Sequence, residues 1–312
     1  MQEFSKDFES KFTGPIGVLI TPFDSNGKVD EYELEKEIYY LNNTRIKGYF
    51  ACGSTGEFVH LTPQENKKIL KIAAKKRKQD KTIVAGACSS NPQTVIDYLN
   101  YASDLGYDAA VVCPPYYARC SQEDIIDFYK VVCNAAKDIK IILYNIPAFT
   151  TVMEISTIEK LAEFENVAGI KDSSANIKNI SHLVAFAEKR KNFFVLTGTD
   201  DALVPCLFAG CRGSMTALGA CVPEIVLKIY DLIYAGDNKS AVELQKKILP
   251  LLRTADKLLF PLGYKLIMEA RGMKSGSYKQ AADNKEIEKV REEIKNHLNI
   301  LSTEINGGLL YA

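Results

Sequence analysis

The stretch TIVAGACSSNPQTVIDYLNYASDLGYDAAVVC, residues 82–113, decides the fold. It opens on an apolar, β-branched run at Thr82–Ala85 and closes on a second at Ala109–Cys113. Between them Asn91-Pro92 is a helix start, a capping amide followed by a proline whose fixed φ suits the first helical turn. Strand, helix and strand thus follow one another within about thirty residues.

The rhythm continues in both directions. Further strand-like runs lie at Gly17–Ile20, Gly48–Cys52, Lys140–Tyr144, Val167–Ile170, Phe193–Leu196 and Gly213–Thr216, which brings the count to eight. Helix-start signals separate them: Asp30 with Glu33, Thr62-Pro63 with Glu65, Ser121 with Asp124, and Pro223 with Glu224. Strands too apolar to have a wet face are parallel and covered on both sides, in a closed barrel or a doubly wound sheet. The count of eight favours the barrel, and no GxGxxG follows the first run to argue for a dinucleotide-binding sheet. After Ala235 the strand signal stops, and Lys239–Phe260, Leu262–Ala270 and Asn284–Leu298 read as helices. The expectation is an α/β protein, a (β/α)8 TIM barrel over residues 1–235 with a C-terminal helical appendage over 236–312.

Composition narrows the function classes. With 39 basic and 39 acidic residues the formal charge is zero, so no global basic field points to nucleic acid or a membrane surface. The start, MQEFSKDFESKF, lacks an apolar signal core, and no run approaches the roughly 18 apolar residues of a span. This predicts a cytoplasmic enzyme acting on a small molecule. The eight cysteines have no CxxC spacing, and the three histidines stand far apart, so neither a disulfide framework nor a metal centre is expected.

In such barrels chemistry comes from the C-terminal ends of the strands. Those positions hold Thr21, Gly53-Ser54-Thr55-Gly56-Glu57, Pro115-Tyr116-Tyr117, Tyr144-Asn145, Lys171-Asp172, Gly198-Thr199-Asp200-Asp201 and Thr216. Lys171 is the sharpest of them, because the run Val167–Ile170 delivers its amine to an apolar mouth where desolvation disfavours the ammonium form. A neutral amine there can attack a ketone to form an imine; a lysine that snorkels to the surface is the plainer reading. The Gly53–Glu57 loop has two glycines for a tight turn and two hydroxyls, which suits a carboxylate, or it is an ordinary glycine-rich turn. Tyr144, on the neighbouring strand, could move protons at an atom bonded to the Lys171 nitrogen, or could simply be a core tyrosine with its hydroxyl satisfied.

Five stretches, taken in order, give these residues a family. GVLITPF at 17–23, GSTGEF at 53–58, PPYYARCSQE at 114–123, YNIPAFT at 144–150 and GIKDSS at 169–174 resemble the dihydrodipicolinate synthase and N-acetylneuraminate lyase superfamily of class I pyruvate-dependent aldolases. The resemblance implies that Lys171 is the Schiff-base lysine and Tyr144 the proton shuttle. It further implies that Ser54 and Thr55, after Gly53, hold the pyruvoyl carboxylate and relay protons, with no cofactor and no metal. Tyr117 resembles a tyrosine that family members insert into a neighbouring subunit's site, which implies a homotetramer built as a dimer of dimers.

Departures from the family pattern bear on the substrate. The synthases carry an arginine in YNxPxR for the carboxylate of aspartate semialdehyde, and here the position is Phe149. An aromatic ring supplies no charged N–H fork. YNIPA with an apolar residue and Gly198-Thr199-Asp200-Asp201 resemble instead the lyases and 2-keto-3-deoxy sugar acid aldolases, in which such carboxylates meet sugar hydroxyls. For Asp200 the alternative is capping a helix that starts at Asp201 or Ala202. In GSMTALG a serine expected of a sialic acid lyase aligns with Ala217, which disfavours sialic acid. The expectation is a lyase that cleaves a 2-keto-3-deoxy sugar acid, or a related 2-oxo acid, to pyruvate and an aldehyde. Dihydrodipicolinate synthase, N-acetylneuraminate lyase and a non-catalytic 2-oxo-acid-binding barrel are the alternatives.

Overall fold

The eight apolar runs become eight parallel strands in the computed structural model, which describes residues 4–136, 138–276, 278–279, 283–305 and 309. They are β1 (Gly14–Val18), β2 (Gly48–Ala51), β3 (Thr82–Gly86), β4 (Ala109–Val112), β5 (Ile141–Asn145), β6 (Val167–Asp172), β7 (Phe194–Thr197) and β8 (Gly213–Thr216). They pair in sequence order, and β8 closes on β1. Every strand residue is buried, as expected of a barrel filled inside by side chains and covered outside by helices.

Before the barrel lies α1 (Lys6–Lys11), and between its strands run α2 (Glu31–Asn42), α3 (Pro63–Lys76), α4 (Pro92–Asp104), α5 (Gln122–Ala135), α6 (Ile155–Leu161), α7 (Ile177–Arg190) and α8 (Leu203–Phe208). After β8 come α9 (Leu218–Cys221), α10 (Pro223–Tyr234), α11 (Asn238–Ala255), α12 (Leu262–Ala270) and α13 (Asn284–Ser302). Four of the five starts read from sequence are capped as the residue types require, and the fifth, at Pro223, has a proline in the first turn and no side-chain cap. Asp30 and Asn91 accept backbone N–H groups of α2 and α4, while Thr62 with Glu65 and Ser121 with Asp124 form full capping boxes. Of the expected 236–312 region, residues 277, 280–282, 306–308 and 310–312 lie outside the described residues.

Two boundaries and one unforeseen helix stand out against the sequence reading. β1 begins at Gly14 rather than Gly17, because Pro15 is tolerated near the start of a strand and its carbonyl accepts the Lys47 N–H at 2.8 Å. α11 ends at Ala255 rather than Phe260, where the Asp256 N–H closes the last turn on the Leu252 carbonyl at 2.9 Å. α1 lies in a stretch that gave no helix signal. Capped by Ser5, it closes the N-terminal end of the barrel, where Phe12 stacks on Phe194 at 4.7 Å between centroids.

Among the described residues no helix is long and apolar enough to cross a membrane, and no group of His, Cys, Asp or Glu is arranged to hold a metal ion. All eight cysteines are free thiols.

Candidate active site

A bulge in β6 aims the site. Ala168 packs inside the barrel with Ile142 and Tyr144 of β5, and strict alternation from Ala168 would send Ile170 inward and Lys171 out toward the helices. Instead Ile141 pairs with Val167 and Ile142 with Gly169, which leaves one extra residue on β6. Past it the phase is reversed. Ile170 joins the outer core, and Lys171 stands opposite Tyr144 in the ladder.

Lys171 and Tyr144 are each 3% exposed, so both face the barrel mouth and neither reaches bulk water. The Lys171 Nζ donates to the Tyr144 hydroxyl at 3.1 Å and lies 5.0 Å from the centroid of the Phe50 ring. On the far side of the phenol, the Ser54 Oγ is 3.4 Å from the Tyr144 oxygen. An amine, a phenol and an aliphatic hydroxyl thus form one continuous line. A plain snorkelling lysine does not fit this geometry.

A cavity of about 320 Å³ opens over that line. Ser54, Thr55, Tyr144, Phe149, Lys171, Gly198, Asp200 and Asp201 are among the residues that line it. Gly198 makes room for the amine, since a Cβ there would sit 2.7 Å from the Lys171 Cε. Gly53 has a packing role different from the turn role expected of it. A Cβ there would lie 2.7 Å from the Phe50 ring, whereas the left-handed residues of the loop are Cys52 and Glu57. The loop closes on itself through the Glu57 N–H, which donates to the Ser54 carbonyl at 3.0 Å.

Asp200 does not cap α8, whose preceding residue, Ala202, provides no side-chain cap. Its Oδ2 accepts the Leu218 N–H at 3.2 Å, at the start of α9. Burial pushes this carboxyl up to about 6, against the opposing pull of the Thr216 side chain and the Leu218 N–H. Thr216, 1% exposed, is not among the residues that line the cavity. Asp201 is ion-paired with Arg253 of α11, which partly offsets the negative field expected of the two carboxylates.

Tyr117 is fully exposed, with φ at 80°. It lines a neighbouring cavity of about 370 Å³ that shares Ser54, Tyr144 and Phe149 with the first. The remaining candidates therefore converge on one mouth, with Tyr117 at its outer edge. Three residues that the sequence did not single out come from beyond β8. Phe260 and Tyr264 wall the Lys171 cavity, the Phe260 ring tilted against Phe149 at 5.7 Å between centroids, and Lys265 of α12 is ion-paired with Glu57. Only contacts between segments remote in sequence bring them there, and no motif or periodicity carries that information.

Residues 11–301 match the model of the Dihydrodipicolinate synthetase family. A 4-hydroxy-tetrahydrodipicolinate synthase from Methanothrix thermoacetophila is 31% identical over 266 residues, 85% of this chain and 89% of its own. A 2-dehydro-3-deoxy-D-gluconate/2-dehydro-3-deoxy-phosphogluconate aldolase from Picrophilus torridus is 32% identical over 263 residues, 84% of this chain and 96% of its own. The crystal structure of dihydrodipicolinate synthase from Aquifex aeolicus superposes with a TM-score of 0.84 at 29% identity, covering 92% of this chain and 98% of that one.

Proposed function

The chain belongs to the dihydrodipicolinate synthetase family of class I aldolases, and from that premise we propose that it cleaves a 2-keto-3-deoxy sugar acid to pyruvate and an aldehyde. The observation that carries the proposal is the buried Lys171 amine 3.1 Å from the Tyr144 phenol, in a cavity whose lining has Phe149 where a synthase needs a guanidinium.

In this reading the Lys171 Nζ attacks C2 of the keto acid, and water leaves as the imine forms. Ser54 and Thr55 hold the carboxylate beside Tyr144. Tyr144, having given its proton to the hydroxyl that leaves C2 as water, takes the proton of the C4 hydroxyl while the C3–C4 bond breaks, and the bonding pair moves into the iminium to give an enamine. Protonation at C3 and hydrolysis of the imine release pyruvate and return the amine. Asp200 and Asp201, in the lining of the same cavity, would receive the hydroxyls of the departing aldehyde, with Gly198 leaving the Lys171 stem its space. The wholly exposed ring of Tyr117 supports a role in a neighbouring copy's site within a dimer of dimers.

A second reading, 4-hydroxy-tetrahydrodipicolinate synthesis from pyruvate and aspartate semialdehyde, has two observations in its favour. The Methanothrix relative carries that name, and Arg253 brings a guanidinium to Asp201 at the rim of the cavity. The two readings part in one assay. Pyruvate release, coupled to lactate dehydrogenase, is measured over 2-keto-3-deoxygluconate, its galacto epimer, N-acetylneuraminate and 4-hydroxy-2-oxoglutarate, alongside pyruvate consumption with aspartate semialdehyde. Release from a 2-keto-3-deoxy acid is the expected result; rapid condensation with the semialdehyde and no release would overturn it.

A further inference from the structure

The Lys171 line depends on a loop that is anchored from the far end of the chain. Ser54 and Thr55 sit between two left-handed residues, Cys52 and Glu57, each with φ at 58°. Positive φ is strained for residues other than glycine and persists where the surroundings hold it. Two contacts hold it here. The Thr21 hydroxyl donates to the Gly56 carbonyl at 2.6 Å, and the Glu57 carboxylate is ion-paired with the Lys265 Nζ of α12. Lys265 is 1% exposed and Glu57 3% exposed, and the ammonium lies 4.1 Å from the centroid of the Phe23 ring.

From Glu57 the connection to the chemistry is short. Its N–H donates to the Ser54 carbonyl at 3.0 Å, and the Ser54 hydroxyl stands 3.4 Å from the Tyr144 phenol, itself 3.1 Å from the Lys171 amine. The neighbour of Lys265 in α12, Tyr264, walls the same cavity from another side. One helix outside the eight βα repeats therefore touches both the loop and the cavity.

We propose that Lys265 is a positioning residue. Through its buried ion pair with Glu57 it fixes the Ser54-Thr55 turn in the geometry that receives the keto-acid carboxylate. The inference rests on the Schiff-base reading of Lys171 and adds a residue to it. A purely structural pair makes a different prediction, because replacing a buried ion pair with apolar residues of similar volume is often neutral for stability. In that case the double replacement would leave substrate binding as it was. If the pair sets the turn, the double replacement folds but binds pyruvate poorly, since small misplacements of positioning groups are costly in affinity and rate.

The test uses the full chain and reads the pyruvate concentration that gives half-maximal borohydride labelling of Lys171, with the melting temperature measured in parallel. The variants are Lys265→Met, Lys265→Arg, the isosteric Glu57→Gln, and the double variant Glu57→Leu with Lys265→Met. The expected result is a rise of about tenfold or more for the double variant and for Glu57→Gln, with full labelling at saturating pyruvate and partial rescue by Lys265→Arg. Should Lys265→Met alone fail to fold, the isosteric Glu57→Gln gives the same reading. Folded variants with an unchanged half-maximal concentration would overturn the positioning role while leaving the imine in place. Failure of the unsubstituted protein to label at all would overturn the Schiff-base reading, and this inference with it.

Discussion

In the proposed reaction Lys171 and Tyr144 divide the chemistry between them: one makes the covalent bond, and the other moves the proton. Tyr144→Phe keeps the ring over the amine but removes the hydroxyl that joins it to Ser54. It is expected to lower the cleavage rate by roughly 10²–10⁴-fold while pyruvate still labels Lys171 under borohydride; an unchanged rate would reassign the proton transfer. Glu37 offers a test independent of function. Burial pushes its carboxyl from an ordinary 4.5 up to about 8, even though its Oε1 accepts the Ile20 N–H at 3.0 Å and Lys265 lies near. Between those two pH values the folded protein holds a proton that the unfolded chain releases, so this group's stabilising contribution is complete below 4.5 and is lost as pH rises through 8. Glu37→Gln keeps an acceptor and cannot titrate. It should match the parent near pH 5 and exceed its stability near pH 8 by on the order of a few kcal/mol, read from denaturant curves at both values. At this scale the sequence was informative where a residue belongs to a local motif, as Ser54, Tyr144 and Lys171 do. It was silent on Lys265, Phe260 and Tyr264, whose partners lie far away along the chain.

The strands were legible because burial on both faces makes each an unbroken apolar run, and the helix starts were legible because caps use short polar side chains next to the first turn. The bulge in β6 was not. In VAGIKD an extra residue leaves no compositional trace, because inward and outward positions are equally apolar. Yet the bulge decides which way Lys171 points. Deleting Ala168 removes the extra residue and lets Gly169 follow Val167 opposite Ile142, so plain alternation would carry Lys171 to the Tyr144 side without a bulge. The expected outcome is a folded deletion variant that pyruvate and borohydride still label; loss of labelling in a folded variant would contradict this register.

For the whole molecule, a closed barrel brings the ends of eight strands to one face, which is how residues as far apart as Ser54 and Asp201 come to share one cavity. The helices after β8 complete that face. Gln245 of α11 donates to the Asp200 carbonyl at 3.0 Å, Arg253 holds Asp201, and α12 carries both Tyr264 and Lys265. Repeating strands made the barrel readable, whereas the docking of the terminal helices depends on the assembled surface and has no repeat to announce it. All of this converges on the claim that one amine bonds covalently to a keto carbon. The most direct measurement is borohydride reduction of the protein with pyruvate, followed by mass spectrometry of the intact chain and its peptides. The expected result is one reduced pyruvyl group per chain, on the peptide containing Lys171 and absent from Lys171→Ala; no added mass, or the same addition in that variant, would contradict the account.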